Sequence, residues 1–299
     1  MISARLLEKL TEYKISYKTD YSLKNASTFR IGGVCILAVF PKTSDQLADA
    51  ISLIDGEGMK VHICGKGSNT LFCDGILDLA VVFCSGVDGV DIEDTYITCG
   101  AGVGLVPLAS VACNAGLSGL EFASGIPGSV GGAVFMNAGA YGSSMESIIV
   151  SSQAYDRSTQ RIITVTDHGF GYRKSIYKSN TELVCLGARM KLMRGNKEDI
   201  KVEMRRFTEE RRKKQPLEYP SAGSYFKRPE GDFAGRLIEM CGLKGVRVGG
   251  ACVSEKHAGF IVNTGGATFD DVLRLEEMVR ETVKRETGVT LEREVEMVV

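Results

Sequence analysis

The chain has 299 residues, 36 basic and 37 acidic, with a formal net charge of −1, 44% hydrophobic residues and 35 glycines. It is too apolar and too balanced in charge to be disordered, and too neutral to hold nucleic acid by bulk charge. The length supplies core for two or three domains' worth of packing, and the glycine excess needs a cause, because glycine loses the most conformational freedom on folding.

Charges interrupt every apolar run in the first ten residues, so no signal-peptide core is expected. Leu6, Leu7 and Leu10 predict a short amphipathic helix. Val34–Phe40 reads as a buried strand closed by Pro41; it is the longest apolar run and far short of the ~20 residues of a membrane span. Thr43 and Gln46 predict a helix start, with Leu47, Ala50, Ile51 and Ile54 at helical spacing and Gly56 and Gly58 as the stop. Val61–Cys64 reads as a strand running into the loop Gly65, Lys66, Gly67, Ser68, Asn69, and 79–84 as another strand. Residues 1–95 thus read as an α/β unit.

Residues 96–99 read as a strand and 105–115 as a helix. A glycine-rich block, Gly119 to Gly142, follows, and strands are expected over 148–155, Arg161–Val165 and 183–193. This second part, 96–195, reads as helices laid against a mainly antiparallel sheet. Lys197–Lys214 is a charged helix stopped by Pro216. In the last part, 196–299, a strand is expected over 259–263. A helix starts near Thr268 or Asp270, turns Val272, Leu275, Val279 and Val283 inward and ends at Gly288; a closing strand covers 294–299.

The nine cysteines form no Cys-x-x-Cys pair and mostly sit in apolar settings, which reads as buried reduced thiols in a cytoplasmic protein. His62, His168 and His257 lack metal-ligand spacing, so no metal site is expected. Gly65-Lys66 is not a P-loop, because Lys60 stands where that pattern needs glycine; a dinucleotide fingerprint also fails, because Thr70 replaces the third glycine. What survives is a strand-to-loop turn that is either a phosphate-holding nest of amides or a plain tight turn. Between Gly100 and Gly142 there are eleven glycines in 43 positions, a density that suits two backbone stretches beside a flat ligand. Six Arg or Lys fall within residues 205–214, but Glu209 and Glu210 interrupt them, so a solvated helix is expected rather than a nucleic-acid surface.

Several motifs occur in order. They are Asn25 through Thr28 and Arg30 to Gly33; Gly65-Lys66-Gly67-Ser68-Asn69; Gly119 through Gly128 with Gly131, Gly132 and Ala133; Gly171-Tyr172-Arg173 with Ser175; Arg211 to Pro216; Pro220 through Ser224 to Lys227; and Leu291 to Val295 around Glu294. Together they resemble the UDP-N-acetylenolpyruvoylglucosamine reductase family, flavoenzymes of bacterial cell-wall precursor synthesis, over nearly the whole chain. The resemblance implies an α+β fold: a two-part FAD-binding module of the vanillyl-alcohol-oxidase (PCMH) type, here 1–95 and 96–195, then a substrate-binding domain at 196–299 whose last residues return to the module. It implies NADPH as co-substrate, noncovalent FAD (no histidine stands in the flavin loops), and a UDP-sugar substrate. It also implies no nucleic acid or membrane partner, and a monomer or weak oligomer.

By the same resemblance, FAD is held by Gly65, Lys66, Gly67, Ser68, Asn69, Ala123, Ser124, Gly125, Ile126, Pro127, Gly128, Ser129, Gly131, Gly132 and Ala133. Arg173 stabilises the enolate formed on hydride transfer, Ser224 supplies the proton and Glu294 assists. Tyr172, Lys214 and Lys227 contact substrate. Arg228 stands where the family often has asparagine, and no room exists between Tyr177 and Met193 for the extra loop of the longer class, so the chain resembles the shorter class. Two other functions stay open: a different FAD oxidoreductase, such as a hydroxy-acid oxidase, on the same module, and a noncatalytic nucleotide- or RNA-binding protein.

Overall fold

The computed structural model describes residues 2–299; Met1, the first residue of the stretch read for a signal peptide, lies outside them. The chain packs as two compact units. One holds the residues up to Asp20, Ile36–Lys66 and Asp78–Glu210; the other holds Tyr21–Cys35, Gly67–Leu77 and Arg211–Val299.

In the first unit, α1 (Ala4–Glu12) is capped by the Ser3 hydroxyl and buries Leu6 and Leu10. α2 (Ser44–Gly56) starts at Thr43, whose hydroxyl accepts from the Gln46 amide, and buries Leu47, Ala50, Ile51 and Ile54. Both helices share a core with Leu37, Val39, Ala80 and Val82 from a sheet ordered Ser16–Ser22, Val34–Phe40, Ile76–Phe83, Val61–Cys64. The last two strands run parallel. The second layer is a five-stranded antiparallel sheet ordered Arg161–Val165, Ile149–Asp156, Leu183–Lys191, Tyr96–Gly100, Val90–Glu93. It packs with α3 (Leu105–Asn114), α4 (Val130–Met136) and α5 (Ile176–Ser179) around Leu105, Leu108, Val130, Val134 and Met190. α6 (Lys197–Lys214) buries only Ile200 and Phe207, as expected of a solvated helix.

The second unit centres on α8 (Phe269–Thr287). Thr268 and Asp271 form a capping box, Gly288 closes the helix at φ 74°, and Val272, Leu275, Val279 and Val283 are fully buried, each stabilising by about 1.5–3 kcal/mol. α7 (Ala234–Met240) and an antiparallel meander of Arg247–Val248, Ala251–Val253 and Ile261–Asn263 complete this core. The chain's end, Glu296–Val298, pairs in parallel with Thr70–Phe72.

Several elements depart from the sequence reading. The glycine-rich block contains α4, which two glycines and two valines make intrinsically poor; the Ser129 cap and burial of Val130, Ala133 and Val134 supply what propensity lacks. Ser16–Ser22 is an edge strand with a mostly exposed polar sequence, so it carries no alternation to read. The short strands Thr70–Phe72 and Val90–Glu93, and the helix α7, were also missed. All nine cysteines are free, but Cys73 and Cys241 are only half-buried. Among the described residues no helix is long and apolar enough to cross a membrane.

Candidate active site

In the first unit the glycine block is laid against the strand-to-helix turn before α3. Leu105 N donates to Gly128 O at 3.0 Å, Val130 N to Val103 O at 2.8 Å and Gly131 N to Ala101 O at 2.9 Å. Close packing in and around this zipper accounts for particular glycines. A Cβ on Gly131 would sit 2.9 Å from Ala101 Cβ; on Gly102, 1.8 Å from Cys84 O; on Gly100, 2.3 Å from Val87 O. These three glycines are required by the protein's own close packing, whatever ligand lies against the block. Gly65 and Gly132 differ. A Cβ on Gly65 would lie 2.2 Å from Ser129 Oγ, whereas the exposed Gly132 meets only that oxygen, at 3.6 Å. Gly65, Ser129 and Gly132 therefore form one small-residue cradle, and Lys66 is exposed beside it. Ala123 and Ser124 point inward: Ala123 lies in the hydrophobic core and the Ser124 hydroxyl faces Met204 O at 3.5 Å. Gly125, Ile126 and Gly128 are half-buried, and Pro127 is exposed.

Arg173 sits on a tight turn with a left-handed backbone, φ 54°. Such a conformation costs a non-glycine residue roughly 1–2 kcal/mol, so the surroundings must enforce it. They do. Gly171 and Lys174 exchange amide–carbonyl bonds of 3.2 and 3.1 Å across the turn. Asn137, itself left-handed at the end of α4, donates to Gly171 O at 3.0 Å, and the buried Ser175 hydroxyl donates to Phe135 O at 2.7 Å. The helix whose first turn forms the cradle thus carries the Arg173 turn at its last. The Arg173 guanidinium lies 5.2 Å from the centre of the exposed Tyr172 ring.

Beneath this turn runs a buried polar chain. The Ser152 hydroxyl lies 2.8 Å from His168 Nε2 and 2.6 Å from the Tyr177 hydroxyl, which in turn meets the Cys185 thiol. Burial holds the His168 imidazolium below its ordinary range and pushes the Tyr177 phenol well up and the Cys185 thiol up to about 12.

In the second unit several of the sequence motifs meet. The Thr28 hydroxyl donates to Ser221 O at 2.6 Å and Ser221 N donates back to Thr28 O at 3.1 Å. Asn69 Nδ2 donates to Glu294 O at 3.2 Å. Gly67, at φ 60°, is wedged so tightly that a Cβ would lie 2.2 Å from Ala26 O. The Ser27 hydroxyl, buried in the segment that confines Gly67, has no hydrogen-bond partner. Among the described residues the amides of Gly67, Ser68 and Asn69 also donate to no protein acceptor. An orphaned buried hydroxyl beside three free amides is a polar surface prepared for an anion.

Ser224 is exposed, and the segment after it pairs with the C-terminal motif. Tyr225 O accepts from Glu294 N at 2.8 Å, Phe226 bridges Arg293, and Lys227 N donates to Glu292 O at 2.8 Å. Ser224 and Glu294 are thereby brought onto neighbouring rungs although 70 residues apart in sequence. Lys227 Nζ pairs with Glu292 at 3.0 Å, and Arg228 stacks on Phe233 at 4.4 Å. Lys214 is exposed at the end of α6.

Residues 215–298 match the family model of the UDP-N-acetylenolpyruvoylglucosamine reductase C-terminal domain, and residues 36–166 match that of an FAD binding domain. A UDP-N-acetylenolpyruvoylglucosamine reductase of Caldanaerobacter subterraneus subsp. tengcongensis is 44% identical over 295 residues, 98% of this chain and 97% of the relative. The chain belongs to the UDP-N-acetylenolpyruvoylglucosamine reductase family. A namesake from Fervidobacterium nodosum is 43% identical over 99% of this chain and 96% of its own length. The crystal structure of the reductase from Thermus caldophilus superposes with a TM-score of 0.80 at 33% identity, covering 95% of this chain and 99% of that one. The chain is thus an FAD-dependent oxidoreductase with an FAD-binding module of the PCMH type and a reductase C-terminal domain. In the first unit the small-residue cradle suits a flat ring laid against backbone; in the second, the Ser27 hydroxyl and the amides of Gly67, Ser68 and Asn69 suit an anion.

Sequence reasoning missed Ser27, Asn137, Ser152, His168 and Glu276, the last a buried carboxylate on α8. Only Asn137 carried a local signal: an asparagine followed by small residues, a common left-handed helix end. The others acquire their roles from partners distant in sequence.

Proposed function

We propose that the chain catalyses the NADPH-dependent reduction of UDP-N-acetylglucosamine enolpyruvate to UDP-N-acetylmuramate in the cytoplasm, supplying peptidoglycan precursor synthesis. Bound FAD supplies the chemistry of accepting a hydride from NADPH and delivering one to the substrate's vinyl carbon. Gly65, Lys66, Ser129 and Gly132 hold that cofactor. Hydride addition pushes negative charge onto the substrate's carboxylate, and Arg173 meets it with a planar two-donor fork. Its enforced left-handed backbone is the kind of stored strain that marks a functional position. Ser224 delivers the proton to the adjacent carbon; a serine hydroxyl is a weak acid, so a carboxylate nearby must help manage the charge, the role given to Glu294. Tyr172, Lys214 and Lys227 bind substrate, Lys227 exchanging its solvent-exposed partner Glu292 for a phosphate at little cost.

The observation that supports this reading is the backbone bond from Glu294 N to Tyr225 O, which joins the Ser224 segment to the Glu294 segment within the residues matched by the family's C-terminal domain. An anaerobic absorbance experiment tests it. NADPH is expected to bleach the flavin, and one equivalent of the enolpyruvyl UDP-sugar to restore the oxidised spectrum with formation of UDP-N-acetylmuramate. Indifference to that substrate, with turnover of a hydroxy acid and oxygen instead, would overturn it.

A further inference from the structure

Glu276 is buried among apolar residues of α8, with 4% of its surface exposed. Its Oε2 accepts from the Tyr225 hydroxyl at 2.8 Å and from Arg293 Nη1 at 2.9 Å, and its Oε1 lies 3.8 Å from Arg280 Nη1. Tyr225 follows Ser224 in the chain; Arg293 precedes Glu294. One carboxylate oxygen therefore holds one side chain from each of the two segments that bear the proposed proton donor and its acid.

Those segments need such a clamp. Their pairing consists of an isolated bridge, Phe226 to Arg293, with single backbone bonds on either side. A slip of one residue in so short a ladder would exchange the faces on which the side chains lie. Stability alone does not account for the arrangement. Glu276 is desolvated while Arg293 keeps 30% of its side chain exposed; a buried charge repays its desolvation poorly, and replacing such a pair by apolar side chains of similar volume is often neutral or stabilising. What directed, charge-assisted bonds provide is geometry. Burial, and then the neighbouring Glu276, push the Tyr225 phenol well above its ordinary range, which keeps it a donor to the carboxylate.

We propose that Glu276 is a positioning residue, fixing Ser224 and Glu294 in mutual register for the proton-delivery step by holding Tyr225 and Arg293 on one oxygen. The inference rests on the roles given above to Ser224 and Glu294.

The test uses the flavin-loaded enzyme and three variants: Glu276→Gln, Tyr225→Phe, and the paired Glu276→Met with Arg293→Met. In Glu276→Gln, flavin reduction by NADPH is expected to be unchanged and reoxidation by substrate to slow by about ten- to a hundredfold, the cost of a small misplacement of reacting groups. The solvent deuterium isotope effect on reoxidation should rise, and the Glu294 amide should exchange its hydrogen faster. Tyr225→Phe, which keeps the arginine bond and guards against a variant that does not fold, should move the same readouts in the same direction by less. The paired methionine variant should recover or exceed the parental Tm while reoxidation stays slow. Reoxidation that recovers together with Tm, or equal slowing of both half-reactions in Glu276→Gln, would reduce Glu276 to a structural part and overturn the proposal. A Ser224→Ala control separates the two levels. If that variant reoxidises at the parental rate, the donor assignment fails; if it is slow while Glu276→Gln is not, only the positioning role fails.

Discussion

Behind Arg173 stand four neutral groups, Ser152, His168, Tyr177 and Cys185; behind Ser224 and Glu294 stands a carboxylate shared between a tyrosine and an arginine. The difference follows from what each anchor must hold. The Arg173 turn is closed locally by the mutual bonds of Gly171 and Lys174 and tied to the end of α4, so packing suffices. A neutral support adds no charge of its own to the field of the arginine. Ser224 and Glu294 come from segments far apart in sequence and joined by a minimal ladder. Their register is a long-range problem, and it is met with directed bonds to one charged oxygen. One anchor works by exclusion of water and the other by geometry, and they should fail in different ways.

The largest expected contrast is at the catalytic positions themselves. Ser224→Ala should slow flavin reoxidation by substrate by about 10²–10⁴-fold, the usual contribution of a positioned acid, and leave reduction by NADPH nearly intact in stopped-flow absorbance. Arg173→Gly should slow reoxidation by ~10²–10³-fold, yet gain about 1 kcal/mol of stability in denaturant unfolding, because glycine adopts the left-handed backbone without strain. A loss of stability in that variant would mean the turn is held by the arginine side chain and not imposed on it.

Smaller effects separate the anchors. Tyr177→Phe removes the buried hydroxyl that joins Ser152 and Cys185 and should lower stability by about 1–3 kcal/mol while both half-reactions keep their rates, unlike Tyr225→Phe. A pH titration of stability gives the smallest signal. His168 and His257 both have imidazolium pKa values held below 6.5 by burial. The unfolded chain therefore binds these protons more readily, so stability is complete above pH 6.5 and declines as pH falls through 6.5 toward the lower folded values. His168→Gln should flatten part of that slope; an unaltered slope would show that His168 is not held neutral by its chain of partners.

Much of the architecture was legible because its signals are local. The apolar run of Val34–Phe40, the Thr43 and Thr268 caps and the inward stripe of Val272, Leu275, Val279 and Val283 each specify an element within one or two turns of chain. Glu276 shows where such reading stops. It follows Leu275 on a charged helix and carries no local signal, yet it is buried, with Tyr225 and Arg293 arriving from elsewhere to satisfy it. α4 was hidden for a related reason: its stability lies in the cap and the core, not in its residues' helical preference.

The ordered motifs carried a resemblance that implied the family, the flavin cofactor and the PCMH-type module; composition and spacing by themselves said only that backbone is pressed closely against something. Only the tertiary structure decided which glycines answer to the protein's own backbone, as Gly100 does against Val87, and which leave space, as Gly132 does beside Ser129. It alone joined the segments that carry Ser224 and Glu294 and placed one buried carboxylate on Tyr225 and Arg293. Burial and long-range hydrogen bonding are properties of pairs of distant residues, and neither partner carries the information alone.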